Sequence, residues 1–179
     1  MSAAAVASLE VLSDLPVPLQ RDTFMRSLLR ELAGTLQEVV GLDEAQGFVS
    51  LVGQHVGEEL NESYRIGLGV GQLSREQVAA VLVDMQRRVG GDFYVIDQDD
   101  DKIVLGNRAC PFAGKVAGRP ALCMMTSNVF GVIAGENLGF AKVVIDRAIA
   151  HGHPECRVTI HLRGTPEAEA ALGREYYQA

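Results

Sequence analysis

Apolar side chains recur along the first third of the chain with the spacing of amphipathic helices. From Asp22, read as an N-cap, they fall at Phe24, Leu28, Leu29, Leu32, Leu36, Val39 and Val40, and Gly41 is a helix stop. Asp43 offers a second N-cap, and Phe48, Val49, Val52, Val56 and Leu60 continue the helical period to about Glu62. Gly53 and Gly57, four apart, let another backbone approach one side of this helix closely. Gly67, Gly69 and Gly71 form a link to Ser74-Arg75-Glu76-Gln77, a capping-box pattern that opens a helix with Val78, Val81, Leu82, Met85 and Val89 inward.

The period then shortens. Phe93 to Ile96 and Ile103 to Leu105 flank the acidic turn Asp97 to Asp101 and predict a β-hairpin. A loop punctuated by Gly and Pro from Pro111 to Pro120 leads to a helix over Cys123 to Leu138, stopped by Gly139. Two strands follow, Ala141 to Ala150 and Arg157 to Leu162, joined by a His-Gly-His-Pro turn, and a short helix from Thr165-Pro166 closes the chain. The order predicts an α+β fold, N-terminal helices followed by a four-stranded, mostly antiparallel sheet with one inserted helix. Pro16 and Pro18 keep a regular helix from running into the fold, so residues 1–20 read as a flexible N-terminal arm and residues 21–179 as a single domain.

Composition narrows the class. The 179 residues are 47% hydrophobic and 22% charged, too apolar for disorder, yet they contain no apolar run long enough to span a bilayer. The N-terminus has no basic region followed by an apolar core, so a secretory signal is not expected and the chain reads as cytoplasmic. Three cysteines, an odd number, argue against a disulfide framework and for reduced thiols. A net charge of −7 argues against direct nucleic-acid binding, since no basic surface is present to release counterions from a phosphate backbone.

The candidate chemistry lies in Cys110, Cys123 and Cys156 together with His151 and His153. Each cysteine falls at a predicted junction between elements, and such junctions can converge at one end of a sheet. Thiolates and imidazoles are the ligands that zinc and softer metals select. The same residues admit an iron–sulfur cluster, or haem on Cys110. Without a metal, Cys123 at a helix N-terminus would have a depressed thiol pKa suited to redox sensing, and the plainest reading is three buried small hydrophobes. Tyr94, Phe112, Met124, Met125 and Phe130 are candidates to line an adaptable apolar pocket beside the cysteines, or are simply core.

Other patterns carry less. Asp97, Asp99 and Asp101 have calcium-loop spacing, but Lys102 stands where glycine is needed and Arg108 where a bidentate glutamate is needed, so a solvated turn is the better reading. The Gly67 to Gly71 run lacks a preceding strand and reads as a linker. His153-Pro154-Glu155 has no downstream Pro-Cys-x-x-Cys and is not a deaminase motif. His55 reads as a core or interface histidine, and His161 has no evident partner.

The run from Gly91 to Arg163, with its hairpin, Cys110-Pro111-Phe112, Cys123 opening a helix, and Gly152 four residues before Cys156, resembles the 4-vinyl reductase domain superfamily. The resemblance covers about Arg21 to Arg163. It implies a small-molecule-binding sensory domain, usually dimeric, found in aromatic-responsive transcription activators and sharing its fold with vesicle-tethering subunits. It also implies a zinc ion near an apolar effector pocket, with Cys110, Cys123 and Cys156 at metal-ligand positions. The family's further cysteine, eight residues before the last, falls at Ala148 here; His151 and His153 are the nearest replacements for that ligand.

The resulting expectation is a metal-containing module that binds a small apolar or aromatic effector, forms a homodimer through residues 21–62 and signals through a separate output protein, a kinase or transcription regulator. The alternatives are an iron–sulfur or haem redox or gas sensor and, suggested by the family name alone, an enzyme acting on a tetrapyrrole or small aromatic.

Overall fold

The computed structural model describes residues 16, 17 and 19–178, so most of the expected N-terminal arm lies outside the described residues. Two long helices come first, α1 (Arg21–Val40) and α2 (Leu42–Leu68), separated by Gly41 alone. Neither starts on the aspartate the spacing suggested. Asp22 sits in the first turn of α1, where it receives the Arg26 guanidinium at 2.9 Å. Asp43 likewise lies inside the first turn of α2. This helix runs beyond Glu62, absorbs Gly67 and stops at Gly69, whose left-handed backbone (φ 67°) suits glycine.

The helix α3 (Arg75–Arg88) carries the expected capping box: the Ser74 side chain accepts from the Gln77 backbone N–H, and the Gln77 side chain accepts from that of Ser74. Its Val78, Val81, Leu82 and Met85 are buried, whereas Val89 is exposed. The hairpin is present as β1 (Phe93–Gln98) and β2 (Lys102–Asn107). In its turn Asp99 Oδ1 accepts the backbone N–H groups of Asp101 and Lys102 at 2.8 and 2.9 Å. That arrangement is a local Asx turn that satisfies the backbone.

A single 3-10 turn (Ala113–Val116) leads into α4 (Ala121–Leu138), followed by β3 (Phe140–Arg147), β4 (Cys156–His161), the short α5 (Pro166–Ala170) capped by Thr165, and β5 (Arg174–Tyr177). The fold class is α+β as expected, but the sheet has five strands, in the order β1-β2-β4-β3-β5, and every pairing is antiparallel. The extra strand is the four-residue C-terminal β5, which hydrogen-bonds to β3 at the sheet edge.

The helix α4 lies between α2 and the sheet and is buried nearly all round. Towards the sheet, Phe130 and Ile133 join Leu82, Ile103, Leu105, Val143 and Ile160 in the main core, with Phe93 and Phe130 edge to face at 5.3 Å between ring centroids. Towards α2 the contact is close because Gly53 and Gly57 face it. A Cβ on Gly53 would stand 2.8 Å from the Met125 carbonyl oxygen, and one on Gly57 would stand 3.0 Å from the Val132 Cβ. Two buried asparagines fix the register. Asn128 Nδ2 donates to Ser50 Oγ at 3.0 Å, and Asn137 Nδ2 donates to Asn61 Oδ1 at 2.7 Å. Such satisfied polar contacts specify one docking position where apolar packing tolerates several.

The buried stripe of α2 is therefore Ala45, Ser50, Gly53, Gly57 and Asn61. Its large apolar residues point outward: Phe48, Leu51 and Val52 are each 54% exposed. On α1, Phe24, Met25, Leu28 and Leu32 are also exposed, and only Ala33 and Gly34 are buried. His55 is exposed as well, so it is not a core histidine. The first helix docks instead through Arg30, whose Nη1 donates to the carbonyls of Lys115 (2.5 Å) and Ala117 (2.9 Å), and through Gly34 against the Arg119 guanidinium.

Candidate functional site

The three cysteines do converge. Antiparallel register sets Cys156, the first residue of β4, opposite Asn107, the last of β2, which in turn lies opposite Phe93 of β1. Asn107 is fully buried and organises this sheet end. Its Oδ1 accepts from the backbone N–H groups of Asp92 (3.1 Å) and Ala109 (3.2 Å), and its Nδ2 donates to Cys156 Sγ at 3.9 Å. The same sulfur accepts from the Ile149 N–H at 3.4 Å. Cys110 stands three residues beyond Asn107, just past the turn that this asparagine holds, and Cys123 lies in the first turn of α4.

Together the three thiols line a partly enclosed apolar cavity of about 40 Å³ under the sheet end. Phe93, Phe112, Val116, Leu122 and Phe130 wall it, and Asn107, Thr126 and Ser127 are its polar members. None of the three cysteines forms a disulfide. The Cys123 thiol is pushed up to about 12, first by burial and then by its neighbours Cys110 and Cys156. This overturns the expected low pKa. Desolvation of a thiolate in an apolar wall outweighs the partial positive charge of a helix N-terminus, and at neutral pH the group is a thiol.

The expected ligand set is not assembled around these sulfurs. Among the described residues no group of three or more His, Cys, Asp or Glu side chains is placed to hold a metal ion. His151 and His153 are exposed on the turn before β4, and Cys156 Sγ is occupied as a hydrogen-bond acceptor. As they stand, the three cysteines and two histidines are not gathered into one ligand set among the described residues.

The candidate pocket residues divide. Phe112 and Phe130 line the cavity. Tyr94 lies against Gly106 with the Arg108 guanidinium 4.0 Å above its ring, and its hydroxyl donates to Glu155 at 3.2 Å. Met125 packs with the smaller apolar cluster around Phe112 and Val116. Met124 lines a separate open groove of about 610 Å³ between the start of α2, α4, β3 and the segment leading into β5. Cys123, Ser127, Ile145 and Ala148 belong to the walls of both spaces, so the groove backs directly onto the cavity. Sequence reasoning missed Asn107, Val116 and Ser127. An asparagine ending a strand three residues before a cysteine was the one available signal.

The geometry is that of an α+β domain with an apolar cavity at one end of its sheet. The family model described as Methanogen output domain 1 matches residues 28–161, and the chain belongs to that family. It is thus a distinct output-domain family, not specifically the 4-vinyl reductase superfamily that the cysteine motifs resemble. Two solved structures share the fold. The phenol-responsive sensory domain of the transcription activator PoxR, determined with phenol, is 16% identical with a TM-score of 0.60, over 86% of this chain and 81% of that one. A trafficking protein particle complex subunit 3 from Naegleria fowleri, covalently bound to palmitic acid, is 9% identical with a TM-score of 0.53, over 87% of this chain and 99% of that one. No curated protein matches the chain. No helix among the described residues is long and apolar enough to cross a membrane.

Proposed function

We propose that this chain is a sensory, ligand-binding module that takes a small apolar or aromatic effector into the thiol-lined cavity and signals through a separate partner protein, without turnover. The observation that carries the reading is the apolar cavity itself, walled by residues from β1, β2, β3, β4, α4 and the turn before α4. A convergence of apolar walls with a few polar groups is the usual form of a small-molecule site. The family's description as an output domain and the phenol-responsive domain of the same fold support it.

At about 40 Å³ the cavity is smaller than a benzene ring requires, since an engineered cavity that binds benzene measures about 150 Å³. An effector therefore enters by displacing walls, and Phe112 and Val116, carried on the turn and loop between β2 and α4, are the walls with least regular structure behind them. The opening cost lowers apparent affinity and couples binding to a change of shape. We further propose that the exposed apolar residues of α1 and α2 meet those of a second copy in a homodimer, because contiguous apolar surface of this kind marks an interaction site.

The test is thermal unfolding and calorimetric titration of the full chain with phenol. The melting temperature is expected to rise with phenol, and Val116→Trp, which fills the cavity, is expected to abolish the rise while the variant stays folded. Absence of any shift, or an undiminished shift in the variant, overturns the cavity reading. Elemental content and visible spectrum of protein purified anaerobically separate the alternatives. One zinc per chain, or an iron–sulfur or haem band, lost in Cys110→Ala and Cys156→Ala, would mean that an ion draws the sulfurs together and would replace the apolar site by a metal site.

A further inference from the structure

The inner cavity and the outer groove share a wall, yet they differ in chemistry. The cavity is apolar, whereas the groove carries Arg174 at its C-terminal side. Among the described residues Arg174 makes no ion pair with a carboxylate. Its guanidinium donates to Ser50 Oγ, a hydroxyl already receiving Asn128 Nδ2. The neighbouring Glu175 is taken up elsewhere, by Lys142 Nζ at 3.3 Å and by the Tyr177 hydroxyl at 2.7 Å. A hydroxyl orients a guanidinium without neutralising it, so the charge remains available in the groove.

A buried hydroxyl lies beside it. The Tyr176 hydroxyl is buried beside Ser127 and Arg174, the two polar side chains that face it. Its ring is held in place against Gly131 and Gly135 of α4, where a Cβ on Gly131 would stand 2.1 Å from the ring. Ser127 belongs to both the cavity and the groove. Cation, buried hydroxyl and shared serine therefore stand where an acceptor would arrive if a ligand reached from one space into the other. The groove's own acid, Asp43 in the first turn of α2, disfavours a second negative charge.

Resting on the cavity reading above, we infer that the effector is a small amphiphile with a single carboxylate, its apolar part in the cavity and its carboxylate in the groove on Arg174. The division of space agrees: the cavity of about 40 Å³ cannot hold a whole ligand of this kind, and the groove of about 610 Å³ behind Cys123 and Ser127 can take the remainder.

The experiment is calorimetric titration of the full chain with benzoate and with its uncharged counterpart benzyl alcohol, in wild type, Arg174→Gln, Arg174→Lys and Val116→Trp, each checked for folding by circular dichroism. Benzoate is expected to bind about tenfold tighter than benzyl alcohol, the scale of one charge-assisted hydrogen bond. Arg174→Gln should erase that advantage and leave benzyl alcohol unchanged, Arg174→Lys should keep most of it, and Val116→Trp should lose both probes. Equal binding of the two probes by wild type, or loss of both in Arg174→Gln with the fold intact, overturns the carboxylate inference while leaving the cavity reading in place. Binding of both probes by Val116→Trp as by wild type overturns the cavity reading itself, and no binding of either probe by wild type overturns the inference. If Arg174→Gln does not fold, the Arg174→Lys result decides: loss of the benzoate preference there overturns the inference.

Discussion

The helices α2 and α4 lie against each other yet bury opposite kinds of residue. The central α4 is apolar and covered on nearly every side, while α2 buries Ala45, Ser50, Gly53, Gly57 and Asn61 and turns Phe48, Leu51 and Val52 outward. Which face of a helix is buried within its own domain is thus decided by how closely the neighbour must approach. The large apolar residues are left on the outer face.

The largest effect is expected from breaking the close side. Gly53→Val would press a side chain into the Met125 carbonyl and the Asn128 Cβ, neither of which can rotate away, and should cost about 3 kcal/mol. Urea unfolding with an unchanged midpoint would show that α2 and α4 can separate without loss. Breaking the outer side should act on association. Phe48→Asp with Leu51→Asp is expected to weaken the homodimer at least about tenfold, with the monomer still folded, as read by light scattering across a dilution series. A wild-type monomer at micromolar concentration would remove the homodimer from the comparison.

A smaller, pH-dependent effect belongs to the buried core. His161 is buried at the end of β4, facing Lys102 and Glu167 on one side and Lys142 and Asp146 on the other, and burial holds its pKa below the ordinary histidine value. The unfolded chain therefore binds a proton at higher pH than the folded one. The stability is complete above about pH 6.5 and is lost as pH falls through and below that value. His161→Gln should flatten this slope in unfolding measured from about pH 7.5 to about pH 5; an identical slope would assign it to other groups. The smallest effect is expected at Val89, an exposed apolar residue outside the α1 and α2 surface. Val89→Ser should change stability by less than about 0.5 kcal/mol and leave association untouched, so a change in association would extend the interface to α3.

Much of the architecture was legible where a local rule determines the outcome. Ser74 with Gln77, the Asp97 to Asp101 turn, Gly139 after α4 and Thr165 before Pro166 each mark a boundary that needs only nearby atoms. The convergence of the cysteines was legible from their places at element ends. What failed depended on neighbours distant in sequence. The apolar period of α2 identified an apolar face, but periodicity does not say whether the same chain covers it. The Gly53 and Gly57 pair did signal close approach; the partner is α4, not a second copy. Tyr94 alternates with Phe93, and Phe93 takes the core side of β1. Position near a helix N-terminus suggested a reactive Cys123, and burial reversed it. The strand β5 is too short to show a period, so Arg174 had no visible context.

The grip of Arg30 on the loop joins one wall of the cavity to the first helix. Its two hydrogen bonds reach the carbonyls on either side of Val116, a cavity wall, and tie that residue's backbone to α1. At about 1.5 to 3 kcal/mol for each hydrogen bond to a charged group, breaking both would cost at most about 3 to 6 kcal/mol. On the scale of two-state equilibria that is enough to invert a population from a few per cent to nearly all.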